Sequence, residues 1–170
     1  MDTPGIIKKF KDEQEMVRLA YDIAERAHHG QKRKDGKPYI SHPDAVAKIV
    51  DLEFYDLMPQ NAEAQANWGL YKNHIIAAAF LHDTIEDTWV TSEYLRNAGM
   101  SEMTIEIVHL VTKKPGENYF DFIMRLHDSG HVGAKIVKLA DLKHNMSDLA
   151  EGSMKDKYRF TTYILSYFNS

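Results

Sequence analysis

The chain has 170 residues, of which 44% are hydrophobic and 27% charged; that is enough for one globular core and excludes an extended disordered polymer. A formal charge of −4 argues against a dedicated nucleic-acid surface, which is normally basic. The absence of Cys excludes disulfides, thiolate zinc sites, iron–sulfur clusters and cysteine nucleophiles, and suits a reducing cytoplasm, the location we expect.

Taken in chain order, apolar residues at Val17, Ala20, Tyr21, Ala24 and Ala27 predict a helix over residues 12–29, capped near Asp12 and stopped by Gly30. Residues 31–40 are basic and turn-rich around Asp35-Gly36 and Pro38, and read as a loop. A helix restarts near Ser41-His42-Pro43, with Ala45, Val46, Ile49 and Val50 inward. Residues 56–68 lack periodicity and read as a surface connection. The stretch from His74 to Ile85 is apolar on nearly every side and predicts a central buried helix. Its longest apolar run, Ile75 to Leu81, is too short to span a bilayer, and the N-terminus does not resemble a signal peptide, so no membrane association is expected. Further helices are predicted over about 91–98, 101–113, 118–128, 131–149 and 154–168, separated by Gly99, Pro115-Gly116, Gly130 and Gly152. No alternating strand of useful length appears. The expectation is one all-α domain over residues 1–170.

Nine His without a Cys restrict any metal site to His, Asp and Glu ligands. The most informative string is LHDTIEDT, residues 81–88, at the polar end of the most apolar helix. Helical spacing places Glu86 one turn from His82 and Asp83, and Asp87 one turn from Asp83. Buried carboxylates so close repel one another unless a cation lies between them. The pair His127-Asp128, with His131 beyond it, is a second copy without the acidic follow-up, and reads as a surface cap. His42 begins a helix after the basic loop, and Asp141 interrupts the apolar run from Ile136 to Leu142, where Lys138 could also pair with it. Together His42, His82, Asp83 and Asp141 offer two nitrogens and two oxygens, a set suited to six-coordinate Mn²⁺, Fe²⁺ or Mg²⁺. Lys32, Arg33, Lys34 and Lys37 concentrate positive charge on one loop of an acidic protein, which suits a small anionic substrate better than a nucleic acid. His29, His74, His109 and His144 show no partner pattern. Tyr158, Tyr163, Tyr167 and Phe168 pack the last helix or contact a second copy of the chain, and residues 113–119 either border a pocket or form a simple turn.

The strings RKDGKPYISHP, LHDTIEDT and VKLADLKHNMSDL, in that order over roughly residues 17–150, resemble the HD-domain metal-dependent phosphohydrolases. More narrowly, they are similar to the alarmone hydrolase domain of the RelA/SpoT stringent-response enzymes and its stand-alone relatives. The resemblance implies an all-helical HD-type bundle with Mn²⁺ held by His42, His82, Asp83 and Asp141. It implies that Glu86 and Asp87 activate the attacking water, that Arg33 and Lys34 lie near the guanine base and phosphates, and that Asn145 lies near the sugar. His28, in the family's Ala-His-x-Gly-Gln pattern, is expected to be structural or to stand behind the ligands. The implied reaction is removal of the 3′-diphosphate from guanosine tetra- or pentaphosphate. The short stretch after Asp141 leads us to expect a hydrolase without the synthetase and regulatory domains of the long enzymes. The alternatives are a phosphohydrolase of NADPH or a deoxynucleotide, and a silent alarmone-binding module, against which the intact Glu86-Asp87 pair speaks.

Overall fold

A computed structural model describes residues 3–57 and 71–166, with side chains described from residue 13 onward. The described residues form helices α1 (Thr3–Ala27), α2 (Ser41–Glu53), α3 (Lys72–Leu81), α4 (Thr84–Asp87), α5 (Ser92–Ala98), α6 (Glu102–Val111), α7 (Tyr119–Asp128), α8 (Val132–Ser147) and α9 (Ser153–Ser166). The all-α expectation holds. Residues 32 and 38 form a single antiparallel bridge that closes the basic loop. No helix among the described residues is long and apolar enough to cross a membrane.

Helix α3 is the axis of the fold. Ile75, Ile76, Ala77, Ala78, Ala79 and Leu81 are all buried, and α3 packs against α1, α2, α6 and α8. Three consecutive alanines let neighbouring backbones approach from every side, while each fully buried Ile or Leu contributes about 1.5–3 kcal/mol of apolar burial. Around this axis α2 packs on α8, α6 on both α5 and α8, and α9 on α7 and α8. Local chemistry sets the boundaries. Thr91, Ser101, Asn118 and His131 each accept a backbone N–H in the first turn of the helix that follows, and Gly99 ends α5 at φ 99°, where a side chain would be strained.

Two boundaries differ from the sequence expectation. Helix α1 starts at Thr3 rather than at Asp12; between Ile6 and Ala27 there is no Gly or Pro to interrupt it, and an Asp inside a helix is a weak breaker. The predicted helix from His74 to Ile85 stops at Leu81 and resumes as α4. There His82 Nδ1 meets the Ala79 carbonyl at 2.7 Å and Thr84 Oγ1 donates to the Leu81 carbonyl at 2.7 Å. These side chains take the acceptors that the helix ladder would have used. The surface connection expected at 56–68 falls almost wholly outside the described residues, as do Tyr167 and Phe168.

Candidate metal and active site

Three elements deliver four potential ligands to one point. His42 is the second residue of α2, placed by its N–H donating to the Tyr39 carbonyl at 2.9 Å. His82 and Asp83 occupy the break between α3 and α4, and Asp141 lies in the middle of α8. His42 Nε2 is 3.2 Å from His82 Nε2 and 3.1 Å from Asp141 Oδ1. Asp83 Oδ2 is 3.1 Å from His82 Nε2 and 3.5 Å from His42 Nε2. His42, His82 and Asp141 are buried, and their ligand atoms all lie within 4.8 Å of one another.

The donor set fits a divalent cation. With His82 Nδ1 committed to the Ala79 carbonyl, which can only accept, His82 Nε2 is the nitrogen that turns inward. Without a cation, the acids and imidazoles must neutralise one another. Burial disfavours charge on His82, but Asp83 and Asp141 outweigh it and push the imidazole up to about 10. Burial likewise opposes ionisation of Asp141, yet Lys138 and the two imidazoles hold its carboxyl well below the usual carboxylate range. Lys138 Nζ donates to Asp141 Oδ2 at 2.8 Å, and Asn145 Nδ2 donates to Oδ1 at 2.6 Å. The Lys138 pairing left open by the sequence is therefore real, and it coexists with the cluster rather than replacing it.

A cavity of about 240 Å³ opens over this point. Arg33, Glu86, Asp87, Lys113, Tyr119 and Asn145 line it together with the four potential ligands and Lys138. The segment 113–119 thus borders the pocket. Lys34 is exposed and does not line the cavity, although it shares the loop with Arg33. Glu86 Oε2 accepts the Lys113 backbone N–H at 3.0 Å. That turn is itself clamped by Arg125, which donates to the Leu110 and Thr112 carbonyls and pairs with Glu117 at 2.8 Å. Asp87 is shifted upward by burial first and then by the nearby charges of Asp83 and Glu86. Backbone Asp87 N–H donates to the Asp83 carbonyl at 3.0 Å, so the one-turn spacing of these two acids survives the helix break. A larger cleft of about 570 Å³, between α1, α2 and α3, is lined by Arg18, Asp44, Lys48 and Asp51 among others, with no metal-ligating cluster there among the described residues.

His127 pairs with its own neighbour, Nδ1 to Asp128 Oδ1 at 3.0 Å, and His131 caps α8 through Nδ1. The second His-Asp copy is a helix-end feature, as its context suggested. Two residues at the site, Tyr39 and His144, carried no sequence signal that we recognised. Tyr39 donates its hydroxyl to Asp83 Oδ2 at 2.7 Å. His28 is buried and stacks on Tyr39 with centroids 4.5 Å apart, and Gln31 links its Nδ1 to the Asp87 carbonyl region. His144 Nδ1 lies 2.8 Å from His42 Nδ1, whereas His74 and His109 meet Ser101 and Ser92 far from the site. The i+3 relation of His144 to Asp141 on one helix was the available clue.

Comparison with known proteins agrees with this geometry. The family model described as "HD domain" matches residues 20–115. The bifunctional (p)ppGpp synthase/hydrolase SpoT of Escherichia coli K12 is 33% identical over 161 residues, covering 88% of this chain and 20% of that protein. A guanosine-3′,5′-bis(diphosphate) 3′-pyrophosphohydrolase of Haemophilus influenzae is 36% identical over 149 residues, covering 81% of this chain and 19% of the relative. The chain thus spans about a fifth of the length of these curated relatives. A solved structure described as a metazoan ortholog of SpoT that hydrolyzes ppGpp superposes with a TM-score of 0.64 at 20% identity, covering 88% of this chain and 83% of that one, a likeness of fold. With more than half of its residues matched by the family model, and with the buried His, His and Asp cluster in place, the chain belongs to the HD-domain family.

Proposed function

We propose that this chain is a divalent-metal-dependent phosphohydrolase that removes the 3′-diphosphate from guanosine tetra- or pentaphosphate, leaving GDP or GTP and pyrophosphate. The observation that carries the reading is the convergence of four ligand groups beside two carboxylates, Glu86 and Asp87, in a cavity walled by Arg33, Lys113 and Lys138. The names of the bacterial relatives support the substrate.

His42, His82, Asp83 and Asp141 would hold the cation, with Mn²⁺ the expected ion and Fe²⁺ or Mg²⁺ the alternatives. When bound, such an ion makes nearby water more acidic and neutralises charge on phosphoryl oxygens. The remaining work falls to the protein. Glu86 and Asp87 accept the proton of the attacking water, and the upward shift of Asp87 makes it a better base than an exposed carboxylate. The water oxygen bonds to the phosphorus carried on the 3′ oxygen, the bond between that phosphorus and the 3′ oxygen breaks, and the 3′ oxygen takes a proton. Arg33, half-buried at the cavity wall, offers a flat cation for the base or the phosphates, with Lys34 adding charge from the same loop. Asn145 has its amide nitrogen on Asp141, which leaves its amide oxygen for the nucleotide sugar.

The test is kcat/KM with added Mn²⁺ for guanosine tetraphosphate, guanosine pentaphosphate, NADPH and a deoxynucleoside triphosphate. The alarmones are expected to be preferred, and Arg33→Lys to raise KM for them through loss of the planar cation. A tenfold preference for NADPH or the deoxynucleotide, about 1.4 kcal/mol in transition-state stabilisation, overturns the substrate. Binding without turnover of any of the four overturns the enzyme.

A further inference from the structure

The outer nitrogen of His42 faces neither a carboxylate nor a backbone carbonyl, the usual partners of a metal-binding imidazole. It faces a second histidine. His42 Nδ1 and His144 Nδ1 are 2.8 Å apart, with ring centroids separated by 4.9 Å. Two ring nitrogens at that distance share one proton, so one must donate and the other must be bare.

The opposite end of His42 decides which. Its Nε2 lies 3.1 Å from Asp141 Oδ1 and 3.2 Å from His82 Nε2, so it is the atom that would bind a cation, and it must be unprotonated to do so. The proton of a neutral His42 ring then sits on Nδ1, and His144 has to receive it. His82 provides the contrast: its Nδ1 proton goes to the Ala79 carbonyl, a group with no protonated form to interfere. For His42 that duty falls on a side chain able either to donate or to accept.

We propose that His144 is a positioning residue for His42: its bare Nδ1 accepts the His42 Nδ1 proton and thereby keeps His42 Nε2 available to a divalent cation. The inference rests on His42 being a ligand, as in the proposed function. It goes beyond that function by tying cation affinity to a residue outside the cavity lining, on the helix that also carries Asp141.

The experiment measures Mn²⁺ affinity from the free-ion electron paramagnetic resonance signal for wild type, His42→Ala, His144→Phe and His144→Asn. The Phe variant keeps a ring without an acceptor. The Asn variant places an amide oxygen near the position of the lost nitrogen. His144→Phe is expected to weaken Mn²⁺ binding about 10–100-fold, with His144→Asn within about fivefold of wild type. Nitrogen-15 spectra of the wild type loaded with Zn²⁺ should show the His42 Nδ1 proton and a His144 ring protonated at Nε2. If His42→Ala binds Mn²⁺ like wild type, the ligand assignment itself fails. If His42→Ala loses the metal while His144→Phe binds within twofold of wild type, this inference alone fails. Equal weakening by Phe and Asn, or a His144 ring protonated at Nδ1, also overturns it; the spectra decide the matter even if a variant does not fold.

Discussion

The Tyr39 hydroxyl donates to Asp83 Oδ2 at 2.7 Å, and that same oxygen lies 3.1 Å from His82 Nε2. Tyr39 thus steers the one member of the proposed ligand set whose side chain is 24% exposed and which would otherwise be free to turn toward solvent. Tyr39→Phe leaves the ring on His28 and deletes the donor. A hydrogen bond to a charged group contributes about 1.5–3 kcal/mol, so we expect Mn²⁺ affinity to fall about tenfold with little change in melting temperature. Titration calorimetry and thermal denaturation of the same sample check both halves; unchanged affinity would remove Tyr39 from the site.

Metal and proton should compete at His82. In the metal-free protein this imidazole stays charged up to about pH 10, because Asp83 and Asp141 overcome the effect of burial. Its folded pKa is raised, so its contribution to stability is complete below about pH 6.5 and disappears as pH rises through about 10. Asp83 and Asp141 are shifted down, so their contribution is complete above about pH 4 and is lost on acidification. The cluster therefore stabilises the metal-free protein most between these limits. Calorimetry at pH 7 in buffers of different ionisation enthalpy should show about one proton released per Mn²⁺ bound, and affinity should increase with pH.

Glu86 and Asp87 should separate chemistry from metal binding. Neither belongs to the buried ligand cluster, yet both line the cavity above it. Glu86→Gln retains an oxygen for the Lys113 N–H, and Asp87→Asn retains the shape of the short helix. We expect kcat to fall by about 10²–10⁴-fold while metal content, read by elemental analysis, stays near wild type. Loss of metal in either variant would move that residue into the ligand set.

Gly133 lies where α8 packs tightly against the core. A Cβ there would meet Ile107 Cδ1 at 3.0 Å and Ile75 Cγ1 at 3.1 Å. Gly133→Ala gains helix propensity of up to about 1 kcal/mol, but overpacking at such contacts typically costs about 1–3 kcal/mol. The expected result is a net loss of about 1 kcal/mol in chemical denaturation; a stabilised variant would show that the two isoleucines yield without strain.

The sequence made three of the four candidate ligands legible because they break a pattern: His82 and Asp83 end an apolar run, and Asp141 interrupts one. Context, the apolar lead-in and the acids that follow, also distinguished this pair from His127-Asp128. What it could not show was the termination of α3 at Leu81. That depends on two side chains capturing carbonyls three residues back, a competition that periodicity does not register. His144 was passed over for a related reason. Its partner is 102 positions away on α2, and only the packing of α2 on α8 brings the two rings together. Lys34 and Arg33 are adjacent in sequence, yet a tight turn places one on the cavity wall and leaves the other exposed.

Arg125 stands outside the cavity and touches none of the ligands, but it secures the Leu110 and Thr112 carbonyls and Glu117, and so the turn whose Lys113 N–H holds Glu86. Warming should loosen this peripheral clasp before the apolar packing around α3 yields, since local openings need less free energy than global unfolding. Catalysis and compactness would then part company on heating: turnover would fade over a temperature range in which far-ultraviolet circular dichroism still reports an intact bundle. Arg125→Lys, which surrenders the forked geometry but retains the charge, should widen that interval by lowering the temperature of inactivation more than the melting temperature.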